Sequence, residues 1–123
     1  SMGLDNLLKT KQLIVHQASD EAIRKLMMAA KRNLQDALCE AISPENRFDA
    51  AYKSMMQCAM MGLWLHGYRT STSQPGHHQV AIQTLPLTME VDSKTVIILD
   101  GLRKQRHVSD YEGDPISGSV LAV

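Results

Sequence analysis

An all-α fold, an antiparallel bundle of four or five helices, is what this sequence predicts, on three observations. Apolar residues recur at helical spacing over most of the chain, the breaks between these runs carry helix-starting and helix-stopping residues, and no run shows strand alternation. Eight methionines beside one Phe, one Trp and three Tyr point to a core of adaptable aliphatic side chains. With 123 residues, 44% of them hydrophobic, the chain suits one domain over 1–123 and no more. Ser1 before Met2 reads as an expression-tag remnant and is left out of the fold reasoning.

Leu4, Leu7, Leu8, Ile14 and Val15 outline a short first helix ending around His16 to Ala18. Ser19 followed by Asp20 and Glu21 is a good N-cap with acids in the first turn, where the helix dipole favours them. The second helix it opens has an apolar stripe of Ile23, Leu26, Met27, Ala30, Leu34, Ala37, Leu38 and Ala41. Arg24, Lys25, Lys31 and Arg32 lie off that stripe as a solvated basic face.

Ser43-Pro44-Glu45 is the clearest helix start in the chain, with a capping hydroxyl, proline at the first helical position and an acid next. The helix from there to His66 is apolar on more than one side. Phe48, Ala51, Tyr52, Met55, Ala59 and Leu63 form one stripe, which Met56, Met60, Met61, Trp64 and Leu65 widen. Such a helix is either the centre of the bundle or packs on a second subunit as well. Gly67 ends it as a left-handed cap.

Gly67 to Gln79, rich in Gly, Ser, Thr and Pro, reads as a loop, and Val80 to Leu85 as a short helix closed by Pro86. Asp92 caps a last long helix with Val96, Ile98, Leu99 and Leu102 as its apolar side, stopped by Gly113 and Pro115. The closing residues Ser117–Val123 resemble the start of a further helix cut short by the end of the chain.

Composition excludes several functions. Thirteen Lys and Arg balance thirteen Asp and Glu, so no overall field draws the chain to nucleic acid or membrane, and any such contact must be local. Few aromatics leave little platform for stacking on single strands. No run reaches the roughly eighteen apolar residues of a membrane span, and no signal peptide precedes the first helix. Cys39 and Cys58 lack metal or redox spacing and read as reduced, buried thiols of a cytoplasmic protein.

The chemistry gathers between Leu99 and Asp114. At helical period Arg103, Arg106, His107, Asp110 and Tyr111 fall three or four residues apart and share one face. An Arg pair with a His and a Tyr can hold a phosphate and move a proton; the plainer alternative is a solvated face on which Arg106 pairs with Asp110. Adjacent His77 and His78 do not suit one tetrahedral metal and have no ligand partners at the right spacing, so no metal or other cofactor is expected. They hydrogen-bond the loop down or line a cleft. Asp49, Tyr52 and Lys53 can reach that cleft and Arg47 can bind an anion there; alternatively Arg47 and Asp49 only decorate the helix start. Cys58 has no cationic neighbour to make it a nucleophile.

The stretch from Arg47-Phe48-Asp49-x-x-Tyr52, through Gly67-Tyr68-Arg69 and Pro75-Gly76-His77-His78, to Arg106-His107-x-x-Asp110-Tyr111 resembles a bacterial member of the HEPN superfamily of helical domains. The resemblance covers about Ser43 to Asp114. It implies an antiparallel helical bundle, commonly a homodimer, with the polar motif of each subunit near the inter-subunit cleft. Many members are metal-independent ribonucleases or toxins, whose Arg holds the phosphate while a His separated from it by four to six residues exchanges protons; Arg103 and His107, with three residues between them, fall one short. Here Arg106 matches the Arg, but the fifth position after it is Tyr111, and no His follows His107. A tyrosine with its ordinary pKa of about 10 is a poor base at neutral pH. The resemblance therefore implies binding of RNA or a nucleotide rather than cleavage, with Arg103 and Arg106 on phosphate, Asp110 orienting Arg106, and His107 and Tyr111 donating hydrogen bonds. Tyr68, Arg69, His77 and His78 would complete the cleft. Two alternatives stay open: a protein partner in a toxin–antitoxin or nucleotidyltransferase pair, and a ribonuclease working through His107.

Overall fold

The capping residues mark true helix starts in the computed structural model, which describes residues 2–112 and Leu121, with the side chains of residues 3–108 and of Leu121. In chain order the elements are α1 (Met2–Lys9), β1 (Leu13–Val15), α2 (Asp20–Leu38), α3 (Pro44–Leu65), β2 (Tyr68–Thr70), α4 (His77–Gln83), α5 (Leu85–Met89) and α6 (Ser93–Glu112). The Ala22 N–H donates to Ser19 Oγ at 3.1 Å, the Asn46 N–H to Ser43 Oγ at 3.3 Å and the Thr95 N–H to Asp92 Oδ1 at 2.8 Å. Caps of this kind each stabilise by about 1 kcal/mol. Gly67, at φ +86°, follows α3 as expected of a left-handed terminator. The expected stops Gly113 and Pro115, and the closing run apart from Leu121, lie outside the described residues.

The expectation of no strands is corrected. The first helix stops at Lys9, because Lys11 takes a left-handed conformation at φ +63° and reverses the chain. The three residues that follow, Leu13, Ile14 and Val15, then pair antiparallel with β2, in the register Leu13 with Thr70, Ile14 with Arg69 and Val15 with Tyr68. Ile and Val resist the helix and suit the pleat. A three-residue strand is too short for alternation to show, and its partner lies in what reads as a loop. That loop is also shorter than expected, since His77 and His78 belong to the first turn of α4 after Gly76 at φ +77°. Pro86 opens α5 instead of closing α4, sitting in the first turn where a missing N–H costs nothing. Thr84, fully buried, joins the two by donating to the Ala81 carbonyl at 2.8 Å.

The core forms around α3. Tyr52, Met56, Ala59 and Leu63, spaced four, three and four residues apart, lie on one side of α3 and are buried with Val80, Ala81, Ile82 and Leu85 of the α4–α5 segment and with Leu4 and Leu13. From the other side α2 runs antiparallel to α3. Small Ala30 and Ala37 are buried at this seam, and their carbonyls accept from Ser54 Oγ and from Arg47 Nε, both at 2.8 Å. The Asn33 side-chain NH2 donates to Gln57 Oε1 at 2.9 Å between them. The broad α2 stripe is corrected here: Met27, Leu34, Leu38 and Ala41 are exposed, because α2 rests mainly on α3 and one neighbour covers only part of the face. Ile98 of α6 is likewise exposed, and so is Cys39, which was expected to be buried.

Gly62 lets α5 approach α3 closely. A Cβ there would stand 2.8 Å from Thr88 Oγ1 and 3.1 Å from Thr88 Cβ. Gly62→Ala gains helix propensity worth about 1 kcal/mol, but the overlap costs about 1–3 kcal/mol. Urea unfolding is expected to show a net loss, of which adding Thr88→Ala recovers part.

Candidate functional site

Four helices contribute to one cleft of about 380 Å³. Along α3, Asp49, Tyr52, Lys53, Met56, Gln57 and Met60 follow one another at alternating spacings of three and one, so that one side of the helix forms its wall. Leu26 of α2 joins Met56 and Met60 in lining it, His78 enters from the first turn of α4, and Arg106 from the last turns of α6. Leu26 and Met60 are half-buried and Met56 is buried, whereas Asp49 and Lys53 stand exposed.

Tyr52 links three of these elements. Its hydroxyl lies 3.0 Å from His78 Nδ1, with the two rings 5.9 Å apart and tilted by 37°. The phenol is the better donor and the imidazole nitrogen the better acceptor, so Tyr52 donates and His78 carries its proton on Nε2. The Arg106 guanidinium lies over the Tyr52 ring, 4.9 Å from its centroid, and its Nε is 3.7 Å from Asp49 Oδ1. Stacking of this kind contributes about 0.5–1 kcal/mol at an exposed site and more when desolvated.

Burial sets the protonation states. It raises the Tyr52 pKa above its ordinary value, against a smaller downward pull from the Arg106 and Arg103 charges. Burial lowers that of His78, and His77, Arg106 and Arg103 push it the same way. Both groups are therefore neutral near pH 7, and the cleft's cations are Arg106 and Lys53. Arg103 is half-buried and donates from Nε to Asp100 Oδ1 at 2.8 Å; it shapes the field without lining the cleft. That bond holds the Asp100 carboxyl below its usual range. Burial raises the Cys58 thiol, which keeps it protonated and unreactive.

Of the residues marked by sequence, the structure brings Arg106 and His78 together and places His77 beside them, its ring 4.7 Å from His78 and edge-on. It does not bring the other described ones to the cleft. His107 is exposed and does not line it, about 100° around α6 from Arg106. Tyr68 lies on β2, and its hydroxyl donates to Asp5 Oδ1 at 3.4 Å. Arg69 lines a different, smaller hollow with Leu63, Trp64 and Thr72. Arg47 donates to the Ala37 carbonyl in the last turn of α2 and does not line this cleft. Asp110 and Tyr111 continue α6, but their side chains lie outside the described residues. Asp49, Tyr52 and Lys53, which the sequence places within reach of the cleft, do line it, and Leu26, Met56, Gln57 and Met60 escape sequence reasoning. Leu26, Met56 and Met60 stood in apolar helical stripes read as core alone, and Gln57 follows from its helical spacing beside Lys53 and Met60. Among the described residues no three His, Cys, Asp or Glu side chains gather as a metal site.

No family model, curated protein or solved structure matches the chain.

The His78 environment makes stability depend on pH. An unfolded histidine takes up its proton near pH 6.5, whereas burial and three cationic or imidazole neighbours delay that uptake in the folded chain. The unfolded state thus binds more protons as pH falls below about 6.5, and stability drops there until the folded-state pKa is passed. Urea unfolding at pH 7.5 and 5.5 is expected to show a larger loss for the wild type than for His78→Gln; equal losses would contradict this origin.

Proposed function

We propose that this chain is an HEPN-like helical domain, acting as a homodimer, that binds a phosphate-bearing ligand, RNA or a nucleotide, without cleaving it. The observation that carries the reading is the convergence of Arg106, Lys53 and His78 on one cleft. A guanidinium can grip a phosphate through two parallel N–H donors, an ammonium adds a mobile charge, and the Nε2–H of a neutral imidazole adds a third donor. Tyr52 supports this set from behind, since it fixes the His78 tautomer and gives Arg106 a surface to lie on. Binding rather than cleavage is favoured because the position that would carry the superfamily's proton-transferring His is Tyr111, and His107 is exposed and does not line the cleft.

A protein-partner reading, in a toxin–antitoxin or nucleotidyltransferase pair, draws on a separate observation. Met27, Met28, Leu34 and Leu38 stand exposed along α2, and Ile97 and Ile98 along α6. Apolar surface of this extent suits a protein neighbour, which under the leading reading is a second copy of the chain.

Arg106→Ala tests the leading reading. Fluorescence polarisation with labelled single-stranded RNA and with labelled nucleotide is expected to show binding to the wild type and a loss of about tenfold or more in the variant, as befits a charged hydrogen-bond pair. Its circular dichroism is expected to stay unchanged. Binding that survives the substitution would overturn the site assignment.

A further inference from the structure

The cleft has two chemically different halves. Arg106, Lys53 and His78 supply donors and positive charge, while Leu26, Met56 and Met60 supply an apolar surface beside them. Thioether and aliphatic side chains pack well against the flat face of a heteroaromatic ring. Gln57 lines the same half, and its amide is not free to spin: its Oε1 accepts from the Asn33 NH2 at 2.9 Å across the α2–α3 seam. A fixed amide presents a set pattern of donor and acceptor, which is how side chains read the edges of bases. The volume of about 380 Å³ lies at the small end of the roughly 300–1,000 Å³ of small-molecule sites. Two cations, of which Arg106 stands beside the Asp49 carboxylate, match one phosphate group better than a run of them, and a chain of zero net charge has no wider field to hold a polynucleotide.

We infer that the cleft takes a single nucleoside monophosphate, its base seated on Leu26, Met56 and Met60 with Gln57 reading the base edge, and its phosphate held by Arg106 and Lys53. This rests on the phosphate reading above and adds a base seat and a specificity-determining residue to it. The seat lies within one chain, between α2 and α3, so it needs no residue from a second copy. Gln57 acts through the orientation that Asn33 imposes. Replacing it changes which base is preferred more than it changes the hold on phosphate.

Isothermal titration calorimetry tests this with the four ribonucleoside 5′-monophosphates, adenosine, inorganic phosphate and a ten-nucleotide single-stranded RNA. The expected result is that one monophosphate binds at least about tenfold more tightly than adenosine or phosphate alone, because the two halves of the site act together. The RNA is expected to bind no more tightly than that monophosphate. Gln57→Glu, which keeps an acceptor for Asn33 but loses the NH2 donor, is expected to weaken the preferred monophosphate about tenfold and to alter the ranking of the four. Gln57→Met is the second variant; it keeps the length and apolar packing, adds no charge, and is expected to lose the ranking too. Arg106-dependent binding of the RNA with none of any monophosphate would overturn the single-nucleotide seat and leave the phosphate reading standing. Unaltered base ranking in both Gln57 variants would overturn the role of Gln57. Absence of Arg106-dependent binding by every probe would overturn both readings.

Discussion

Burial of one helix stripe, Tyr52–Met56–Ala59–Leu63 on α3, is the constraint on which the rest of the molecule depends. The last three residues are purely apolar and hold α4 and α5 against α3. Tyr52 ends the same stripe with a phenol that is 5% exposed, so its hydroxyl must find a partner inside the protein. His78 supplies it. That requirement ties the first turn of α4 to the middle of α3, and the upper face of the ring gives the Arg106 guanidinium a place to rest. Core packing and site geometry are here one arrangement: the residue that closes the core is the residue that orients both polar groups of the cleft.

The electrostatics follow from the same burial. Desolvation keeps Tyr52 and His78 neutral, and the nearby arginines reinforce this for the imidazole. The cleft thus keeps its positive charge on Arg106 and Lys53, with Asp49 facing Arg106 at 3.7 Å. At that distance the carboxylate attracts without forming a close hydrogen bond. Pairs this exposed are weak contributors to stability. The arrangement serves to position charge more than to hold the fold.

Much of the helical architecture was legible in the sequence because its signals are local. Ser19, Ser43 and Asp92 cap helices through their own side chains, and Gly67 needs only its own backbone freedom. What escaped was set by distant partners. Leu13–Val15 becomes a strand because β2, more than fifty residues away, pairs with it. The α2 stripe predicted a buried face, but how much of it is covered depends on how many elements reach it, and α3 covers only the Ala30 and Ala37 side. In the site, Arg106 and His78 were visible as chemistry while their meeting was not, since α4 and α6 are brought together by packing that no local pattern encodes. The spacing of Asp49, Tyr52, Lys53, Met56, Gln57 and Met60 was visible too, but one helical periodicity serves a core and a cleft wall equally well.

The most direct test of the Tyr52–His78 bond is the protonation state of His78, read from long-range ¹H–¹⁵N correlations of the imidazole at pH 7, with His78→Gln used for assignment. The account predicts a neutral ring protonated at Nε2, with an unprotonated Nδ1 whose shift moves in Tyr52→Phe. A ring protonated at Nδ1, or a full imidazolium at that pH, would contradict it.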